Sequence, residues 1–85
     1  MPLESQADGV AKLRSILSRS PQKRLIVGFV RDGLTNKQIG MQLSRSEHTV
    51  HTLLAELYDA LDIQSRVTLG VLYQVLESSH ENHGD

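Results

Sequence analysis

The sequence predicts an all-α protein built from short helices, and two observations support that prediction. Apolar residues recur every three or four positions along most of the 85 residues, which is the period of an amphipathic helix. Residues that typically cap helices, namely Asp8, Ser20, Thr35, Ser46 and Ser65, stand in front of these apolar stretches. A chain this short without cysteine should form one domain, whose small core would gain from dimerisation.

The N-terminal part is predicted to contain a leader and two helices. Residues 1–7 are expected to be flexible, and residues 8–18 to form a short first helix. Ser20 and Pro21 fit the cap and the first position of a second helix, because an N–H at that first position has no partner within the helix. Gly33 is expected to end the second helix in a left-handed conformation. The predicted inward residues are Val10, Leu13, Ile16 and Leu17, then Leu25, Ile26, Phe29 and Val30.

The next stretch predicts two helices joined by a tight turn. Thr35 caps a short helix, and Gln38 stands where it completes a capping box. Ser44-Arg45-Ser46 is the predicted turn, and a longer helix is expected over residues 47–61. A single inward stripe is predicted for that helix, formed by Val50, Leu53, Leu54, Leu57, Tyr58 and Leu61. This arrangement can place the longer helix in a DNA major groove.

The last predicted helix follows Ser65 and is apolar on more than one side. Its apolar residues are Val67, Leu69, Val71, Leu72, Val75 and Leu76. A helix of this kind usually buries one side in its own core and the other against a partner. Residues 78–85 are polar and aperiodic, so a disordered tail is expected there.

The ordered series of segments resembles the LuxR/GerE-type helix-turn-helix domain over residues 19–77. Ser20-Pro21 is similar to the Thr-Pro near the start of that family's pattern. Three further segments match with unbroken spacing: residues 33–40 resemble the family's Gly-Leu-Ser-Asn-Lys-Glu-Ile-Ala, residues 43–51 its Leu-x-Ile-Ser-Glu-x-Thr-Val-Lys, and residues 60–69 its Lys-Leu-Gly-Val-x-x-Arg-x-x-Leu. The resemblance implies a four-helix domain, here with a short additional N-terminal helix.

The resemblance also implies a function, that of a bacterial transcription regulator. The first hypothesis is a small stand-alone regulator, and an output domain cut from a larger regulator is a further alternative. Such domains bind duplex DNA through the helix before the last, and they often form homodimers through the last helix. The DNA contacts expected here are Thr35, Asn36, Lys37, Arg45, Ser46, His48, Thr49, His51, Thr52 and Ala55. The expected dimer interface consists of Val67, Thr68, Val71, Leu72 and Val75.

The charge distribution leaves a second function open. Residues 1–50 hold eight Lys and Arg against four Asp and Glu, whereas residues 51–85 hold one Arg against six Asp and Glu. His51 stands where the family has a basic residue, and Glu56 and Asp59 follow on the predicted groove-facing side. Missing cations weaken DNA binding directly. The alternative is a protein-interaction module on the same fold, which acts on another regulator through its last helix or its acidic face.

Other function classes find little support in the sequence. No run of about 18 apolar residues and no signal peptide is present, so a cytoplasmic protein without a membrane span is expected. No nucleophile, base and acid stand in a convincing catalytic setting, and no cofactor is expected. His48 and His51 lie one turn apart, but two ligands do not make a zinc site, so they are interpreted as surface histidines.

Overall fold

The computed structural model consists of five helices, and it describes residues 3–83, with side chains described for residues 8–78. The helices are α1 (Leu3–Arg19), α2 (Pro21–Arg31), α3 (Asn36–Leu43), α4 (Glu47–Leu61) and α5 (Arg66–His83). The residues described contain no strand, so the predicted all-α class is confirmed. None of the helices in this part of the chain is both long enough and apolar enough to cross a bilayer.

The predicted caps define where the inner helices begin and end. The Ser20 hydroxyl accepts a hydrogen bond from the Lys23 N–H (3.2 Å), and Pro21 is the first residue of α2. Gly33 follows α2 with a φ of +89°, a left-handed conformation that glycine adopts at no steric cost. Its N–H donates to the carbonyl of Val30, and the chain turns there toward α3.

The helices pack in two groups around one core. Helix α5 packs against α2 and α1, and α3 packs chiefly against α4. The buried apolar residues come from all five helices: Val10, Leu13, Leu17, Ile26, Val27, Val30, Ile39, Val50, Leu54, Leu57, Leu61, Leu69, Leu72, Tyr73 and Leu76. The α2–α5 contact also has a polar element. Arg31 forms an ion pair with Glu77, and its guanidinium carbon lies 5.1 Å from the centre of the Tyr73 ring.

The outer helices are longer than the sequence analysis predicted. Helix α1 begins at Leu3 rather than residue 8, so residues 3–7 belong to the helix, and residues 1 and 2 lie outside the described part. Asp8 is therefore not a cap but an interior residue that pairs with Lys12 one turn on (3.5 Å). Helix α5 continues through residue 83 instead of ending at 77, since neither glycine nor proline stands between residue 77 and Gly84. Residues 84 and 85 lie outside the described part.

One predicted inward residue of α2 is wrong. Leu25 is 52% exposed, and the neighbouring Val27 is fully buried in the core instead. The two residues lie about 100° from Ile26 on opposite flanks of the helix, so the spacing of apolar residues alone fits either choice. The packing of α1 and α5 against α2 decides which flank is covered.

Candidate nucleic-acid interface

A tight turn between α3 and α4 sets the geometry of the helix-turn-helix. Ser44 ends α3 in a left-handed conformation (φ 56°), and the Arg45 N–H donates to the Gly40 carbonyl (2.9 Å). A Cβ atom on Gly40 would stand 2.6 Å from the Arg45 carbonyl oxygen and 3.4 Å from the Glu47 nitrogen. The missing side chain at Gly40 thus allows the turn to lie directly against α3. The sequence analysis did not single out Gly40. The available signal in the sequence was that this glycine stands shortly before the predicted turn.

Two of the expected DNA contacts, Thr35 and Ser46, are helix-capping side chains in the structure, and a third, Thr49, is hydrogen-bonded to one of them. Thr35 accepts from the Gln38 N–H (3.2 Å) while its own N–H donates to Gln38 Oε1 (2.8 Å), which confirms the predicted capping box. Ser46 accepts from the Thr49 N–H (3.0 Å) and donates to the Thr49 hydroxyl (2.9 Å). These side chains fix the first turns of α3 and α4. Nearby, Lys37 and Arg45 are exposed to solvent.

The outer face of α4 forms one continuous exposed stripe. Its members follow at intervals of three and four residues: His48, His51, Thr52, Ala55, Glu56 and Asp59. The opposite stripe is buried at Val50, Leu54, Leu57 and Leu61, while Leu53 and Tyr58 are half-buried beside it. Helix α4 therefore has the predicted apolar flank and open flank. The stripe is acidic at its C-terminal end, where Asp59 lies about 16 Å along the axis from His48. Glu47 adds one exposed carboxylate in the first turn of α4.

The exposed stripe of α4 meets the beginning of α3 in a shallow depression of about 240 Å³. Asn36 of α3, His51 and Ala55 of α4, and Arg66 of α5 form its walls, together with Leu54 and Tyr58. Three of the predicted contact residues, Asn36, His51 and Ala55, are thus brought together on one surface. His48 and Thr52 continue the same face of α4.

Arg66 is a site residue that the sequence analysis missed. Its Nη1 donates to Oδ1 of Asn36, and its Nη2 donates to the carbonyl oxygen of Leu34. Since Arg can only donate, the side-chain atom of Asn36 that faces Arg66 must be the amide oxygen. That oxygen therefore already accepts a hydrogen bond within the protein. Burial raises the pKa of the Tyr58 hydroxyl above its ordinary value, and the nearby positive charge of Arg66 and its hydrogen bond act in the opposite direction. The family motif contains an arginine here, but sequence spacing does not reveal its partners.

The outer face of α5 carries four of the five residues expected at a dimer interface. Val67, Val71 and Val75 are 76%, 47% and 40% exposed. Thr68 is also exposed and receives a cap from Ser65, whose hydroxyl accepts from the Thr68 N–H (3.1 Å). Leu72 was wrongly predicted to belong to this face. It is only 6% exposed, because it packs inward against Gly9 of α1.

The part of the chain for which the structure describes side chains offers no metal centre. No group of three or more His, Asp or Glu side chains there is arranged to hold a metal ion. His48 and His51 both lie on the exposed stripe of α4, where they accompany Thr52 and Ala55 rather than further ligands.

The comparison with protein families identifies the domain. A family model described as bacterial regulatory proteins of the luxR family matches residues 17–73, which extend from the end of α1 through most of α5. The searches among curated proteins and among solved structures gave no match. The family match covers well over half of the chain and includes the turn, the exposed stripe of α4 and Arg66. The chain therefore belongs to the luxR family of bacterial regulatory proteins.

Proposed function

We propose that this chain is a transcription regulator that binds duplex DNA, with α4 entering the major groove. The observation that carries the proposal is the shared surface of α3 and α4. The exposed stripe of α4 is free of other parts of the described chain, and it lies beside the beginning of α3 in the depression lined by Asn36, His51 and Ala55. A helix in the groove with a second helix end near the backbone is how helix-turn-helix domains bind.

Base reading is assigned to the N-terminal half of α4. His48 and His51 can hydrogen-bond base edges, while Thr52 and Ala55 offer methyl groups to thymine. These four side chains are exposed. Glu56 and Asp59 continue the stripe, so the geometry favours insertion of the N-terminal end of the helix rather than its whole length.

Backbone positioning is assigned to the start of α3 and the turn. The first N–H groups of a helix have no partner within the helix and attract phosphate, and Lys37 adds a positive charge at this end of α3. Arg45, in the turn, adds an exposed positive charge to the same surface. Thr35, Ser46 and Thr49 contribute by fixing the two helix ends, and Asn36 contributes through its position in the depression. With two such cations per protomer, we expect a shallow salt dependence, with a slope of log K against log salt of about −2 per protomer.

Fluorescence anisotropy with labelled duplexes tests this proposal. At low salt the chain should bind duplexes of any sequence weakly, and a duplex selected from a random pool more tightly. Lys37→Ala should weaken binding to all sequences alike and reduce the magnitude of the salt slope by about one. Lys12→Ala is the matched control, because it removes an exposed cation from α1. If the protein binds no duplex even at low salt, the DNA-binding proposal is wrong and the interaction module becomes the better account.

We further propose that the regulator acts as a cytoplasmic homodimer joined through α5. The support is the row of exposed valines, Val67, Val71 and Val75, with Thr68 beside them. Burying them between two copies would remove apolar surface that the single chain leaves in water. The match is to a family of regulatory proteins, and we propose no catalytic role, cofactor or membrane partner for the chain.

A further inference from the structure

We propose that Arg66 is a positioning residue for DNA binding, which holds the first turn of α3 in register with α4 without contacting DNA itself. This inference rests on the proposed function. It assigns a role to a residue that neither the predicted contacts nor the predicted dimer interface included.

The first support is that one guanidinium joins three helices. Arg66 is the first residue of α5, whereas its two acceptors, the Leu34 carbonyl and the Asn36 side chain, lie in the loop before α3 and at the first position of α3. The third neighbour is Tyr58, in the last turns of α4. A guanidinium presents several donors in a fixed plane, so it can hold two acceptors at a set spacing.

The second support is that the other hydrogen bonds found at this end of α3 are local in sequence. Helix α3 packs chiefly on α4, and its cap is made locally by Thr35 and Gln38. The loop before it follows Gly33, whose left-handed backbone imposes a turn, and Leu34 in this loop donates its N–H to the Phe29 carbonyl and packs against the core. The Arg66 hydrogen bonds therefore connect the start of α3 with α5 across 30 and 32 residues of sequence.

The third support distinguishes positioning from direct phosphate contact. Arg66 is half-buried and both of its terminal nitrogens donate within the protein, whereas Lys37 is exposed at the same end of α3. A phosphate contact by Arg66 would have to compete with Asn36 and the Leu34 carbonyl. Moving the start of α3 would instead displace Lys37 and the free N–H groups relative to His51.

The test compares Arg66→Met, Arg66→Lys and Asn36→Ala with Lys37→Ala in salt titrations of DNA binding. Arg66→Met should lower affinity about tenfold while the salt slope stays unchanged, whereas Lys37→Ala should reduce the slope by about one. Arg66→Lys keeps the charge but loses the planar pair of donors, so it should not restore affinity. The double variant of Arg66→Met with Asn36→Ala should lose less than the product of the two single losses, since both break the same contact.

A second measurement does not depend on DNA. Amide hydrogen exchange at Gln38 and Ile39, in the first turn of α3, should become about tenfold faster in Arg66→Met and in Asn36→Ala, while Val50 in α4 serves as the reference. If the wild-type protein binds no DNA, the proposed function fails, and the exchange rates still decide whether Arg66 holds α3. If Arg66→Met does not fold, both the DNA titration and the hydrogen-exchange measurement are made on Asn36→Ala, which breaks the same contact.

Two results would overturn the inference. One is a salt slope that falls by about one in Arg66→Met and recovers in Arg66→Lys, which would mean that the charge itself meets phosphate. The other is unchanged exchange at Gln38 and Ile39 in the folded variants, which would mean that the start of α3 is held by its cap and by α4 alone.

Discussion

Gly40 shows how a single missing side chain determines the relation between two helices. Its place near the end of α3 is unfavourable for helix formation, since glycine costs about 1 kcal/mol relative to alanine in a helix interior. The structure gives the reason for accepting that cost. A Cβ atom would approach the Arg45 carbonyl oxygen to 2.6 Å, closer than a backbone neighbour tolerates, so the tight turn requires glycine.

Gly40→Ala should therefore destabilise the protein although it improves helix propensity. Overpacking against backbone costs about 1–3 kcal/mol, so we expect a net loss of about 1 kcal/mol in the free energy of unfolding by urea. Gly28→Ala in α2 is the matched control, because the nearest atom to its Cβ would be in the Tyr73 ring at 3.8 Å, an ordinary contact. That control should be neutral or stabilising. If the two substitutions changed the free energy of unfolding equally, the turn would have shifted to accommodate the added Cβ atom.

At the scale of single helices, α5 shows what the sequence pattern leaves undetermined. Its apolar residues lie on two sides, and the sequence analysis correctly predicted that one side would enter the core. It placed Leu72 on the wrong side, because spacing alone cannot tell which side meets α1. Gly9 explains why Leu72 faces inward, since the missing side chain leaves room on α1 for Leu72. The exposed side is consequently narrower than predicted and is formed by Val67, Val71 and Val75.

Val71→Glu tests whether that exposed side joins two copies. Val71 is 47% exposed, so the folded single chain should tolerate a carboxylate there, whereas a symmetric interface would bring two carboxylates together in an apolar contact. Sedimentation equilibrium should show a dimer for the wild type and a monomer for Val71→Glu, with unchanged helicity. Ala11→Glu, an exposed position of α1, adds the same charge elsewhere and should leave the dimer intact. A monomeric wild type at all concentrations would contradict dimerisation.

At the scale of the whole molecule, the fold was more predictable than the site. Caps such as Ser20, Thr35 and Ser46 and the stripe of α4 depend on local spacing, and the structure confirms each of them. The contacts of Arg66 and the burial of Val27 instead depend on helices distant in sequence, which spacing does not encode. Helix ends were also misjudged where no breaker stood, as at residues 3–7 and beyond residue 77.

The distribution of charge over the molecule leads to different expectations for DNA binding and for protein interaction. The exposed stripe of α4 turns acidic at Glu56 and Asp59, so DNA bound by the N-terminal half of α4 lies within reach of two carboxylates. At about 10 Å in water each unit charge contributes about 0.4 kcal/mol of repulsion, before screening by salt. The double substitution Glu56→Gln with Asp59→Asn should then raise DNA affinity about three- to fourfold at low salt and less at high salt.

If the chain is instead a protein-interaction module, the same double variant should bind its partner more weakly. If the acidic end of α4 engages a basic protein surface, removing its charge must weaken that complex. Asp8→Asn on α1 is the control for a general change in net charge, and it should alter DNA affinity far less, because Asp8 pairs with Lys12 on another helix. Anisotropy measured at two salt concentrations checks both expectations. A double variant with unchanged affinity at low salt would mean that DNA does not approach the outer face of α4.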